Sequence, residues 1–223
     1  MQVSNKKISF LGKLFISAML ILSLAACNDE DIPASNTTVA NNTIAEATEQ
    51  VVAEDIIETV VFETTAGNFT LALNSSKAPL SVANFLQYVN EDYYNGTIFH
   101  RVISNFMIQG GGFDAEMIQK ATKAAITNEA DNGLQNTVGS IAMARTGMPH
   151  SATSQFFINV KNNTSLNHRS KNGSGWGYAV FGEVSEGMEV IEAIRVVATG
   201  SNSGHQNVPL EPVIVNRAYH VAK

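Results

Sequence analysis

The stretch Phe99–Phe113, F-H-R-V-I-S-N-F-M-I-Q-G-G-G-F, constrains this chain more than any other. Its first half alternates. His100, Val102 and Ser104 fall on one face of an extended segment, and Phe99, Arg101 and Ile103 on the other. Arg101 is thereby predicted to share a strand face with two large apolar residues. A guanidinium in that setting calls for a partner, because an unpaired buried charge is costly. The stretch closes on Gly110, Gly111 and Gly112. No Lys-Ser/Thr and no helix-forming run follow, so these glycines do not read as a phosphate cradle. A sharp bend or a close approach of backbone fits them better.

The flanking segments repeat the short-strand pattern. Thr59–Phe62 and Asn68–Leu73 read as paired strands joined by Ala66-Gly67-Asn68, with Phe69, Leu71 and Leu73 alternating against Thr70 and Ala72. Pro79 opens a helix, since its missing N–H costs nothing in the first turn. Val82, Phe85, Leu86 and Val89 line one face of that helix at the right spacing. Asn95-Gly96 is a turn that delivers the chain into the Arg101 strand. A second helix is predicted over Met188–Val197, with Val190, Ile191, Ile194 and Val197 inward and Gly187 and Gly200 flanking it. Pro212 precedes a last strand, Val213–Val221. Many short strands and only two good helices argue for a closed β-barrel or a sandwich.

Three further blocks bear on function: Ile141-Ala-Met-Ala-Arg145, Ser154-Gln-Phe-Phe-Ile-Asn159 and Tyr178-Ala-Val-Phe-Gly-Glu-Val184. Together with the Arg101 stretch, in this order and spacing, they resemble the cyclophilin family of peptidyl-prolyl cis-trans isomerases over about Thr59 to Val221. The resemblance implies a mainly β fold, a closed eight-stranded antiparallel β-barrel capped by two α-helices. It also implies rotation about X-Pro bonds, a reaction that needs no nucleophile, general base or cofactor. Arg101 would donate to the twisted prolyl amide, a role suited to a permanently charged, rigid fork of N–H groups. Gln109 would orient Arg101, and Phe106, Met107, Phe157 and Leu166 would grip the proline ring. Ala144 and Arg145 would meet the residues before the proline. Gln155 would line the neighbouring pocket, Tyr178 would stand in the groove, and His100 would sit beside Arg101.

Taken singly, Phe106, Met107, Phe157 and Leu166 each fit an ordinary core better than a binding pocket. His100 fits a structural histidine as well as a substrate contact. Ser165 stands where the best-known eukaryotic cyclophilins carry a tryptophan that contributes to cyclosporin binding, and Tyr178 where they carry a histidine. Both departures are similar to those of bacterial periplasmic cyclophilins. The only tryptophan here is Trp176.

The N-terminal part reads differently. Residues 1–26 form an export signal: Lys6, Lys7 and Lys13 precede an apolar run, Leu14–Ala26, too short for an ordinary spanning helix. The run ends in Leu24-Ala-Ala-Cys27, which resembles a bacterial lipobox, and Cys27 is the one cysteine of the chain. Lipidation there would anchor the protein to a membrane, with the periplasmic face of the outer membrane as the expected site, since Asn28 is not a retention aspartate. Residues 27–57 form an acidic, disordered tether, within which Ile44–Ile57 has helix-forming composition. The isomerase domain is expected over 58–223.

Charge and composition exclude other classes. The formal net charge is −6, and no basic stripe invites nucleic acid. The five histidines are scattered without metal-ligand spacing. Ser154, His100 and Asp114 could in principle serve a hydrolase, but no G-x-S-x-G elbow surrounds Ser154. A binding module using the same groove remains a second class, although a pure binder need not keep the Arg101 donor. The expected partners are proline-containing segments of unfolded or partly folded exported proteins, met by a monomer.

Overall fold

A computed structural model describes residues 54–221. The expected export signal at 1–26, Cys27 and the expected tether up to residue 53 lie outside the described residues. Alternation builds the first hairpin from β1 (Ile57–Thr64) and β2 (Gly67–Asn74). Val60 and Phe62 on β1 and Phe69, Leu71 and Leu73 on β2 are buried. Each such side chain contributes about 1.5–3 kcal/mol relative to exposure. Phe62 faces Phe69 across the pair, ring centroids 5.1 Å apart. Both strands outrun the alternation that marks them. The residues before β1 also belong to the fold: Ser75 N–H donates to the Ile56 carbonyl at 2.9 Å, and Asn74 Nδ2 to Asp55 at 2.8 Å. Ile57 opens β1, at the junction between the expected tether and the domain expected from residue 58.

Helix α1 (Pro79–Asn90) opens on its proline and buries Val82, Phe85, Tyr88 and Val89. Two of its first-turn donors are taken by a distant carboxylate. Leu80 N–H and Ser81 N–H donate to Glu129 at 3.0 and 2.8 Å, a cap that also suits the helix dipole.

The chain continues through β3 (Thr97–Ile103), β4 (Met107–Asp114), β5 (Ser140–Met143), β6 (Phe156–Asn159) and β7 (Val180–Glu186). Then come α2 (Met188–Arg195), a polar hairpin of β8 (Thr199–Asn202) and β9 (His205–Pro209), and β10 (Val215–Val221). Helix α2 stops at Arg195, short of Val197, and Gly200 lies in β8 instead of flanking the helix. The last strand likewise starts at Val215, although Val213 is buried in the core.

Eight strands form one antiparallel sheet in the order β10-β1-β2-β7-β5-β6-β4-β3. The sheet curls around an aromatic interior of Phe62, Phe69, Phe85, Tyr94, Phe99, Phe156 and Phe181. Helix α1 packs against β2 and β10, and α2 against β2, β3 and β4. The predicted eight strands and two helices are present, but the barrel is not closed by a continuous ladder. Its outer strands meet at a seam held by Gly96 N–H to the Val215 carbonyl at 2.8 Å and Phe99 N–H to the Val213 carbonyl at 3.1 Å. An isolated bridge, Ile98 with Ile214, completes it.

One expectation about β3 fails for a clear reason. Phe99 pairs with Gly110 and Arg101 with Gln109, so β3 spends two residues where β4 spends one. A bulge of this kind reverses the direction of the residues after it. Phe99 therefore packs in the barrel interior with Val102, whereas Ile103 packs with the groove residues. Arg101 does not share a face with Phe99.

Candidate active site

The bulge turns Arg101 toward a cavity of about 200 Å³. It is lined by Phe106, Met107, Gln109, Ala144, Arg145, Phe157, Leu166 and Tyr178 together with Arg101. Different elements supply these walls: Met107 and Gln109 from β4, Phe157 from β6, and Leu166 from the 3₁₀ turn Thr164–Leu166. Phe106 closes the β3–β4 turn, where its N–H donates to the Ile103 carbonyl at 2.9 Å. Four apolar side chains at one end and a guanidinium beside them suit a small apolar ring joined to a polar amide.

Three side chains form a relay into the cavity. Arg101 Nη1 donates to Gln109 Oε1 at 3.3 Å, and Gln109 Nε2 donates to Gln155 Oε1 at 2.9 Å. Gln155 in turn lies against bare backbone: a Cβ on Gly112 would sit 2.5 Å from its side chain. Gly111 adopts φ +78, and a Cβ there would meet Tyr94 at 2.8 Å and Phe156 at 2.9 Å. The glycine run thus serves both a bend and a close approach. The partner expected for Arg101 is a neutral amide, and among the described residues no carboxylate forms an ion pair with it. Its fork keeps donors available for a ligand.

Arg145 is fixed on the opposite rim. Its Nε donates to the Gly177 carbonyl at 2.8 Å and its Nη1 to the Thr146 carbonyl at 2.9 Å. Its guanidinium stands 4.5 Å from the Tyr178 ring centroid, within cation–π range. Tyr178 meets Phe157 edge-on at 5.6 Å, so arginine, tyrosine and phenylalanine form one wall. Gln155 lines an adjoining cavity with Gln109, Ala144, Arg145 and Thr153.

His100 is the predicted site residue that the structure leaves out of both linings. It is the residue absorbed by the bulge, 4% exposed, with its ring 4.7 Å from Phe113. Its Nδ1 has no hydrogen-bond partner. Burial first, then the neighbouring His205, lowers its pKa to about 4, and Arg101 acts in the same direction. The Ile98 backbone and Gln155 oppose the shift more weakly. At neutral pH His100 is uncharged. Ser154 is fully buried and donates to the Gly111 carbonyl at 2.8 Å, beside Tyr93, so it is no nucleophile. Trp176 packs against His150 and His168 at 4.7 and 5.5 Å and does not replace the tryptophan missing at Ser165.

A buried asparagine network escapes the sequence reading. Asn163 Nδ2 donates to the Phe106 carbonyl at 2.7 Å and to Asn159 Oδ1 at 2.6 Å. Asn159 Nδ2 donates to Asn136 Oδ1 at 3.1 Å, and Asn136 N–H to Asn167 Oδ1 at 2.8 Å. Leu166 N–H donates to the Asn163 carbonyl and Tyr178 N–H to the Leu166 carbonyl, each at 2.9 Å. The network therefore ties Phe106, Leu166 and Tyr178 to one another. Its one signal in the sequence is that Asn162 and Asn163 follow the strand F-F-I-N after two residues.

A curled antiparallel sheet that sets an uncompensated guanidinium beside an apolar cavity defines a groove for an extended peptide. Comparison with known proteins sharpens that class. The family model for cyclophilin type peptidyl-prolyl cis-trans isomerase/CLD matches residues 59–220. The chain is 61% identical over 160 residues to the peptidyl-prolyl cis-trans isomerase cyp18 of Streptomyces antibioticus, covering 72% of this chain and 96% of that protein. It is 56% identical over 156 residues to peptidyl-prolyl cis-trans isomerase B of Escherichia coli strain K12, covering 70% and 95%. A crystal structure of a cyclophilin type isomerase from Cryptosporidium parvum matches with a TM-score of 0.61 at 24% identity. It covers 75% of this chain and 99% of that one, a likeness of fold. The chain belongs to the cyclophilin family and is a peptidyl-prolyl cis-trans isomerase acting on proline-containing peptides.

Proposed function

We propose that Arg101 is the catalytic donor and that the proline ring sits against Phe106, Met107, Phe157 and Leu166. A peptide C–N bond resists rotation with a barrier of about 18–20 kcal/mol, because resonance makes it partly double. Uncatalysed X-Pro exchange takes roughly tens to hundreds of seconds. Pyramidalising the prolyl nitrogen breaks the resonance and gives it a lone pair that the planar amide lacks. A guanidinium N–H aimed there binds the twisted state better than either planar isomer, and each 1.36 kcal/mol of that difference is about tenfold in rate. The observation that carries this reading is the Arg101–Gln109–Gln155 relay beside the apolar cavity. Gln109 holds the guanidinium without neutralising it. Ala144, Arg145 and Tyr178 meet the residues before the proline, and Gln155 faces a neighbouring side chain of the peptide.

The substrates we infer are proline-containing segments of exported, partly folded proteins, met by a monomer. The basis is the export signal at 1–26 and the lipobox-like ending at Cys27, which would anchor the domain to the periplasmic face of the outer membrane through an acidic tether. The test of the site is isomerisation of a short X-Pro peptide by the full-length chain. Arg101→Ala is expected to lower kcat/KM on the order of a hundredfold or more, as loss of a transition-state donor does. Arg101→Lys keeps the charge without the fork and should recover little. A variant with undiminished turnover overturns the assignment. Undiminished peptide affinity in an inactive Arg101→Ala supports it.

A further inference from the structure

The groove is cationic within a domain that is not. Residues 54–221 carry ten Lys and Arg against fifteen Asp and Glu. Among the described residues no carboxylate lines either the proline-sized cavity or the one adjoining it. Arg101 and Arg145 line the first, Arg145 lines both, and neither takes part in an ion pair of the described residues.

Arg145 is also held in advance. Two backbone carbonyls and the Tyr178 ring face fix its plane, and none of them neutralises it. A half-buried guanidinium so arranged has already lost its rotamer freedom and much of its water. A carboxylate arriving from the peptide would gain a charge-assisted hydrogen bond at little further ordering cost.

We propose that Arg145 is a specificity-determining residue and that the groove prefers proline segments with Asp or Glu at one of the two positions before the proline. The proposal rests on the reading that Ala144 and Arg145 meet those positions. Arg101 adds to the local field, but it stands at the proline end, so the two arginines are separable by substitution.

The experiment compares kcat/KM for peptides identical except for Glu, Gln or Lys at each of the two positions, using the full-length chain. At low ionic strength a Glu peptide should exceed its Gln counterpart by about two- to fivefold, the size expected for one partly exposed ion pair. The Lys peptide should fall below both. The Glu:Gln ratio should shrink toward one at about 0.5 M salt, where screening is strong, and in Arg145→Gln even at low salt. A ratio near one in the wild-type chain, or a ratio unchanged in Arg145→Gln, overturns the proposal. Should Arg145→Gln fail to fold, Arg145→Met, which keeps an unbranched stem against Tyr178, takes its place in the same comparison. Were no peptide turned over at all, the isomerase reading of the groove would fail separately. Dissociation constants of the same peptides would then still report the acidic preference.

Discussion

His100 shows how one buried side chain links the fold of the strand that carries Arg101 to pH. It lies next to Arg101 in sequence, yet the bulge that faces Arg101 to the groove encloses His100 against Phe113. Its folded-state pKa, about 4, lies below the ordinary histidine value of 6.5. The folded protein therefore binds this proton more weakly than the unfolded chain does. The stability contributed by neutral His100 is complete above pH 6.5, declines as pH falls, and is lost once pH passes below about 4. The shift corresponds to roughly 3 kcal/mol over that window. Denaturant midpoints from pH 4 to 7 should show this loss in the wild type, superimposed on that of the carboxylates. His100→Gln should flatten the curve by about that amount. Parallel curves for the two proteins would mean that His100 titrates normally.

At the scale of elements, the groove is assembled from loops that the asparagine network fastens together. Asn163 bonds the Phe106 carbonyl with its side chain and receives Leu166 N–H on its backbone, so one residue spaces two walls of the cavity. Asn163→Ala removes one of two donors to the Phe106 carbonyl, with Val160 N–H remaining at 3.2 Å, and leaves the Asn159 oxygen without a donor, at a cost of about 1–3 kcal/mol. Urea unfolding should register that loss. Turnover should show a raised KM, because Phe106 and Leu166 would no longer hold their spacing; a KM equal to the wild type would confine Asn163 to stability alone. This network also marks the limit of what could be read from the sequence. The Phe69, Leu71 and Leu73 alternation, Pro79 and the Arg101 stretch were legible because each carries a local signal: a period, a helix-opening ring, a charge among apolar residues. The bulge at His100 was not legible, since it shows only in the register of β3 against β4. Nor was the β8–β9 hairpin, whose exposed polar residues carry no hydrophobic period. Asparagines such as Asn136 and Asn159 suggest turns to a local reading. Only the tertiary fold shows them buried and satisfied by one another.

For the molecule as a whole, the anchor that we propose would stand ahead of a domain with its own aromatic core. With a single cysteine in the chain, no intrachain disulfide can support the barrel, and its stability rests on the aromatic interior. The lipid attachment that we propose would fall on Cys27. Several acyl chains bind a bilayer stably, where one would be marginal. Cell fractionation should find the wild-type chain with membranes and Cys27→Ser among soluble exported proteins. A wild-type chain recovered in the soluble fraction would remove the anchor from the account. The seam between β3 and β10 matters at this scale too, because it leaves the strand that carries Arg101 at a margin of the sheet, secured by a few bonds on that side.

The first and last strands, by contrast, are full neighbours: Thr59 is paired with Val221. Strands so paired run about 5 Å apart, which makes the order of the elements a matter of where the chain happens to be cut. A short linker from residue 221 back to 54 would close the domain into a ring. Reopening the ring at Gly204, in the exposed turn between β8 and β9, would leave every ladder of the large sheet intact. The domain is a cycle written as a line, and a partner fused at either end would leave it from the same corner.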